Sequence, residues 1–101
     1  MFDSLKEARR YGELSMLQER GYITDLECQK KFVLIPKQTD KYGKLVEREC
    51  AYRADFVYTD TDTGETIVED VKGYREGTAY NLFSIKRKLL LERYGIRIKE
   101  I

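Results

Sequence analysis

The stretch YRADFVYTDTDTGETIVEDVKG, residues 52–73, decides the fold. It contains two runs rich in β-forming residues, joined by a polar turn that carries Gly64. Because this connection is too short for a crossover helix, the two runs are predicted to pair as antiparallel strands. Side chains alternate along the second run, so Asp70 and Lys72 point to one face and Glu69 to the other, where it can pair with a basic residue under a helix.

The segment before this hairpin predicts a helix and a further strand. Ser4 and Glu7 have the spacing of a capping box, and the helix that they begin is predicted to end at Gly21. Its apolar stripe consists of Leu5, Ala8, Gly12, Leu14 and Leu17. A strand is then predicted from Cys28 to Ile35, where Pro36 ends it.

The remaining segments complete the order α-β-β-β-α-β. A single strand is predicted over 44–58, with a bend near Cys50. A second helix is predicted over 78–95, and the alternating residues 96–101 form a final strand. The inner side of that helix is predicted to consist of Leu82, Phe83, Lys86, Leu89, Leu90 and Tyr94. We therefore expect one α+β (α/β) domain over residues 1–101, with a mixed sheet flanked by helices.

Composition excludes several classes of site. The 101 residues include no histidine, which rules out His-based triads and His-ligated metals. Two cysteines, Cys28 and Cys50, lack CxxC spacing, so we expect buried reduced thiols rather than a disulfide or zinc site. The net charge of +1 names no partner. No apolar run is long enough to span a membrane and no signal peptide is visible, so we expect a cytoplasmic protein.

Asp55 is the residue that points to chemistry, because it lies between the apolar Ala54 and Phe56. A charge in that setting is costly unless it is paired or binds a cation. The hairpin permits Asp55 to lie near Asp70, although the register is not fixed by the sequence. Two carboxylates could then hold one or two Mg²⁺ ions for phosphodiester hydrolysis, with Lys72 positioning water or stabilising charge. The alternative is a solvated strand face or a surface ion pair.

The motif order resembles the PD-(D/E)XK nuclease superfamily. Its motif stands here as ADFVY and EDVKG, that is Asp55 followed by Asp70-Val71-Lys72, without the proline that names it. The stretches FDSLKEARRYGEL, LECQKKFVLIP, YRADFVY, VEDVKG and IKRKLL with YGI are similar to a small phage-associated family. Its members are described as proposed endonucleases or as similar to Holliday-junction resolvases, and the likeness covers nearly the whole chain.

This resemblance implies a restriction-endonuclease-like fold and metal-dependent cleavage of DNA, with Mg²⁺ or Mn²⁺ as cofactor. It implies that a glutamate of the first helix, Glu7 or as second choice Glu13, joins Asp55 and Asp70 in the metal shell. It also places Gln29 near the metal. Each has a structural alternative, since Glu7 could only cap the helix and Gln29 could only bond the backbone.

Basic residues on both helices, on one strand and in the loop after Lys72 could contact DNA phosphates, although a solvated surface is the default explanation. Lys86 is the candidate to assist at the active site. The others are Arg9, Arg10, Arg53, Arg75, Arg87 and Lys88.

The expected function is a phage or prophage DNA endonuclease. Its cleavage would be structure-directed, since the chain has no spare domain for reading sequence, and cutting two strands would suit a homodimer. The alternatives are a non-catalytic DNA-binding or assembly module on the same fold, and an RNA-directed nuclease, because metal chemistry does not separate the two nucleic acids.

Overall fold

The computed structural model describes residues 4–72 and 77–101. Two helices and six strands follow one another in these ranges. They are α1 (Leu5–Glu19), β1 (Ile23–Ile35), β2 (Gln38–Thr39), β3 (Leu45–Glu47), β4 (Cys50–Asp60), β5 (Thr66–Asp70), α2 (Thr78–Tyr94) and β6 (Ile98–Glu100). The predicted α+β class is confirmed, with β2 and β3 as an additional small hairpin.

The main sheet has the order β1-β4-β5-β6 and is mixed, as predicted. The pairs β1–β4 and β4–β5 are antiparallel, whereas β5 and β6 run parallel. The chain must therefore cross over between β5 and β6, and α2 lies in that connection. In the β4–β5 pair Phe56 is opposite Glu69, which brings Asp55 to the end of the strand that carries Asp70.

Glycines end both helices where the sequence predicted an end. Ser4 Oγ accepts a hydrogen bond from the Glu7 backbone N–H at 3.0 Å, which begins α1. After α1, Gly21 adopts a φ of 83°, and its N–H and that of Tyr22 donate to carbonyls of the last turn. Gly95 caps α2 in the same left-handed region with a φ of 70°.

Two strand predictions need correction. β1 begins at Ile23, five residues before the predicted start, because the chain pairs with the end of β4 immediately after α1. The strand predicted over 44–58 is divided into β3 and β4. Asp40 explains the division, since its carboxylate accepts from the N–H groups of Tyr42 and Lys44 and closes a local hairpin that separates β3 from the main sheet.

Each face of the sheet carries one apolar core. The core on the α2 side consists of Phe32, Leu34, Tyr52, Ala54, Val57, Val68, Phe83 and Leu90. The core that includes the α1 residue Leu14 also contains Ile23, Phe56 and Tyr58. The helix stripes were partly wrong. Leu5, in the first turn of α1, is 67% exposed, and Leu82 is 54% exposed because the buried face of α2 passes through Phe83 and Leu90 instead.

The alternation of β4 shifts at Asp55. Ala54 and Phe56 are two residues apart and would share a face of a regular strand, yet they belong to different cores. Opposite this point on β1, Gln29 has a left-handed backbone with a φ of 56°. The local irregularity turns Asp55 out of the regular alternation and toward the end of β5.

Both cysteines are free thiols, but only Cys50 is partly buried and Cys28 is exposed. The expectation that both are buried was wrong for Cys28, because β1 is an edge strand of the main sheet. Neither helix in the described ranges is both long and apolar enough to cross a membrane.

Candidate active site

The candidate site lies where β5 ends, beside the irregular point of β4. Asp70, the last residue of β5, is only 5% exposed. Its Oδ2 accepts a hydrogen bond from the Tyr52 hydroxyl at 2.8 Å and lies 2.9 Å from Lys72 Nζ. Burial and the neighbouring carboxylate raise the pKa of Tyr52, so the hydroxyl remains a donor.

Asp55 meets Asp70 at this point, as the hairpin permitted. Asp55 Oδ2 accepts from the Val71 backbone N–H at 2.8 Å, which fixes the carboxylate against the chain between Asp70 and Lys72. Burial raises the pKa of Asp70 to about 7, and a hydrogen bond and charge repulsion with Asp55 add to the rise, whereas Lys72 and Tyr52 oppose it. In the metal-free protein Asp70 therefore keeps its proton up to near-neutral pH.

Gln29 connects this pair to the first helix. Its Nε2 donates to Glu7 Oε1 at 3.0 Å and to Asp55 Oδ1 at 3.2 Å. A left-handed backbone at a residue other than glycine costs about 1–3 kcal/mol and persists where the surroundings hold it. The strained position of Gln29 is therefore tied to two acidic side chains from two different elements.

Lys72 is held by both its side chain and its backbone. Its Nζ lies 3.6 Å from the centroid of the Phe83 ring, a cation–π contact that adds to the ion pair with Asp70. Its backbone N–H donates to the Ile101 carbonyl at 2.9 Å. Lys6 of α1 donates to the carbonyls of both Lys72 and Ile101, at 3.2 and 3.0 Å.

A cavity of about 270 Å³ opens onto these groups. Lys86 of α2, the candidate to assist at the active site, lines it together with the exposed Arg53 of β4, so both lie near Asp70 and Lys72. The full lining is Tyr52, Arg53, Asp70, Lys72, Ala79, Leu82, Phe83 and Lys86.

Glu69 faces the opposite side of the sheet and pairs with a helix residue, as predicted. It is fully buried and takes two hydrogen bonds from Arg10, Nε to Oε1 at 2.7 Å and Nη2 to Oε2 at 2.6 Å. The Tyr58 hydroxyl also donates to Oε2. The hydrogen bond to Glu69 raises the pKa of Arg10, and burial raises the pKa of Tyr58.

The basic residues proposed for DNA divide into two groups. Arg9, Arg53 and Lys88 are exposed. Arg10 is paired with the buried Glu69, and the partly exposed Arg87 has its Nη1 3.2 Å from Glu100 Oε2, so both already have an acidic partner in the protein. Arg75 lies outside the described residues.

The side chains that could bind a metal ion are Asp55 and Asp70, and Glu7 is connected to Asp55 through the side-chain amide of Gln29. Within residues 4–72 and 77–101, no group of three His, Cys, Asp or Glu side chains is placed to hold a metal ion. Glu7 is 6% exposed and bonded to Gln29, whereas the second choice, Glu13, is exposed and 3.8 Å from Arg10. The structure thus brings Glu7, and not Glu13, to the pair.

Sequence reasoning missed three side chains that support the site. Tyr52, Lys6 and Tyr58 contact Asp70, the Lys72 backbone and Glu69 respectively. Tyr52 carried a usable signal, because it is a polar residue at an inward position of the strand that contains Asp55. Lys6 carried none, since its partners are backbone carbonyls 66 and 95 residues away.

Comparison with known families gives one match. The sequence matches the family described as "Protein of unknown function (DUF1064)" over residues 1–100, and the chain belongs to this family. Neither a comparison with curated proteins nor one with solved structures gave a match.

Proposed function

We propose that this member of the DUF1064 family is a metal-dependent DNA endonuclease on a restriction-endonuclease-like fold. One observation carries the proposal: Asp70 and Lys72 line a cavity open to solvent with 2.9 Å between carboxylate and ammonium, and the Asp55 carboxylate binds the Val71 N–H between them. Buried acid pairs are costly, and perturbed carboxyl groups in a cleft are typical of functional sites. The resemblance to PD-(D/E)XK nucleases in motif order supports the same assignment.

The donor set fits a hard divalent cation. Mg²⁺ is commonly bound through one or two carboxylates, with water and substrate phosphate completing its octahedron, so a third protein carboxylate is not required. Asp55 and Asp70 would hold Mg²⁺ or Mn²⁺, and Glu7 would act through Gln29. A bound ion would supply Lewis acidity and lower the pKa of a coordinated water.

The side chains of this chain would perform the remaining tasks. Water would attack phosphorus and lose a proton to solvent, the bond to the leaving ester oxygen would break, and that oxygen would take up a proton from solvent. Negative charge develops on the phosphoryl oxygens during this step. Lys72 is placed to donate to that charge, because Phe83 and Asp70 hold its ammonium at the cavity. The Val71 N–H and Gln29 fix the orientation of Asp55, and the Tyr52 hydroxyl fixes that of Asp70.

A nuclease assay tests the proposal directly. The substrates are linear duplex, single strand, flap, four-way junction and RNA, each with Mg²⁺, Mn²⁺ or EDTA. We expect metal-dependent cutting that Asp70→Asn abolishes, with the junction or flap preferred over linear duplex. Asp62→Asn is the matched control, since it removes one exposed carboxylate from the turn before β5.

Two results would oppose the proposal. Cutting that persists in Asp70→Asn would come from another site or from a contaminating enzyme. Binding of DNA without cutting of any substrate would favour the non-catalytic module.

A further inference from the structure

The β2–β3 hairpin forms a separate projection, which we call the arm and define as residues 36–49. Its strands form a two-stranded sheet of their own, apart from the main sheet. All of its residues are exposed, and the molecule measures 53 × 31 × 24 Å. An exposed two-stranded ribbon is costly to maintain without a partner, because it leaves apolar side chains in water.

The tip of the arm is ordered by its own hydrogen bonds. Asp40 accepts from the N–H groups of Tyr42 and Lys44 at 2.9 and 3.0 Å, and Gly43 adopts a φ of 84°. Tyr42 is 82% exposed at this tip. The carboxylate of Asp40 is therefore bonded within the turn, and Lys41 and Lys44 lie on either side of Tyr42 and Gly43 at the tip.

The charges of the arm point to a polyanion. Residues 36–49 contain four basic side chains against three acidic ones, namely Lys37, Lys41, Lys44 and Arg48 against Asp40, Glu47 and Glu49. Asp40 closes the turn and Glu49 pairs with Lys31 of β1. Within the described ranges neither Lys41 nor Lys44 forms an ion pair.

The arm also has the dimensions of a groove-binding element. The major groove of B-DNA admits a two-stranded β-ribbon, and exposed aliphatic side chains such as Leu45 and Val46 can contact thymine methyl groups there. From Gln29 along β1 to Ile35 the chain advances roughly 20 Å, and the tip lies at most about as far again. This upper limit of about 40 Å is enough to cover one turn of B-DNA, about 34 Å.

We propose that the arm enters the major groove of duplex DNA about one helical turn from the candidate site, with Lys41 and Lys44 on phosphates. The inference rests on the proposed function, because the distance between arm and candidate site matters only if that site acts on DNA. The contact of the arm with DNA is itself a matter of binding and is tested without catalysis. It also decides between nucleic acids, because the major groove of A-form RNA is too deep and narrow for such a ribbon.

Binding measurements in EDTA separate this inference from catalysis. A labelled 30-base-pair DNA duplex, the RNA duplex of the same sequence and the single DNA strand are titrated with wild type and with Lys41→Ala/Lys44→Ala. We expect the double variant to bind duplex DNA about tenfold more weakly. The slope of log K against log salt concentration should decrease in magnitude by about two, because two phosphate contacts are lost. The preference of the wild type for duplex DNA over duplex RNA should fall with it.

The control is Arg20→Ala/Lys99→Ala, which removes two exposed charges far from the arm and should change binding little. Unchanged duplex affinity of the arm variant, or an equal loss for RNA, would overturn the inference. So would a wild-type dimer in solution that the arm substitutions convert to monomer without weakening DNA binding, since the arm would then hold a second copy. If the protein binds duplex DNA through the arm but cuts no substrate, the inference about the arm stands and only the proposed function is overturned.

Discussion

Lys72 Nζ lies 2.9 Å from Asp70 Oδ2, although the two residues are separated by only one position at the end of a strand. The strand alternation puts both side chains on one face, and the ring of Phe83 covers the lysine from α2. A partly buried ammonium that is held in place by an aromatic ring can stabilise developing negative charge without reorganising.

Replacing this lysine by methionine should abolish most of the proposed activity. Lys72→Met keeps an apolar stem against Phe83 but removes the charge, so we expect kcat to fall about 10²–10³-fold with a small change in KM. The measurement is single-turnover cleavage of the preferred substrate, with circular dichroism to confirm the fold. Lys99→Met, at an exposed lysine of β6 that is not a candidate DNA contact, is the matched control, and equal rates for the two variants would contradict a catalytic lysine.

The two roles of Gln29, its left-handed backbone and its hydrogen-bonded bridge between Glu7 and Asp55, can be tested separately. Gln29→Ala and Gln29→Gly both remove the amide that joins Glu7 to Asp55. Only glycine suits the φ of 56°, so the glycine variant should be more stable than the alanine variant by about 1 kcal/mol in urea unfolding.

Metal affinity should not follow stability in these two variants. Both should bind Mn²⁺ about 10–100-fold more weakly than wild type in calorimetric titrations, because both lose the group that orients Asp55. A glycine variant with wild-type affinity would show that the bridge is only structural.

The sequence predicted the order of the main elements, because short connections restrict a hairpin to few arrangements. It permitted Asp55 to lie near Asp70 but did not fix the register that brings them together. It also predicted that Glu69 pairs beneath a helix. It could not predict that Lys6 bonds the backbone of Lys72, nor that Arg10 rather than Arg9 lies inward. Those outcomes depend on the rotation of α1 over the sheet, which a moderate apolar stripe does not determine.

The division of the strand predicted over 44–58 into β3 and β4 could not be predicted for a related reason. Residues 45–47 have the same β-forming character as β4, so composition does not show where pairing with β1 stops. The boundary is set by Asp40, whose side chain competes for backbone donors. The left-handed Gln29 is likewise a consequence of tertiary contacts and has no local sequence signal.

Stability of the metal-free protein should depend on Asp70 in a defined pH window. The pKa of this carboxyl is about 7 in the fold against an ordinary value of 3.8. Below pH 4 both states hold the proton. Between pH 4 and 7 only the folded state retains it, so this group's contribution to stability falls as pH rises, and it becomes constant above 7.

Asp70→Asn isolates that contribution from the other acids of the protein. The asparagine cannot titrate, so the difference in unfolding free energy between variant and wild type should shift in favour of the variant as pH increases from 4 to 7. Urea unfolding at half-unit pH intervals in EDTA measures the difference. A constant difference across this window would mean that Asp70 ionises at its ordinary pH.

We expect Arg10 to stabilise the folded protein and not to contact DNA. Glu69 is completely buried, and Arg10 with Tyr58 neutralises and hydrogen-bonds it. Arg10→Met would leave a buried carboxylate without its cation, a change that costs about 3–5 kcal/mol. Arg9→Met, one position along α1 and exposed, should change stability by less than about 0.5 kcal/mol.

The double variant Arg10→Met/Glu69→Gln completes the test. It removes the buried charge together with its partner, so it should recover much of the stability that Arg10→Met loses. Chemical denaturation of wild type, Arg10→Met, Glu69→Gln and the double variant measures the coupling. DNA affinity at fixed salt is measured on the same set. If Arg10→Met proved as stable as wild type and bound DNA more weakly, Arg10 would be a phosphate contact and its pairing with Glu69 would be secondary.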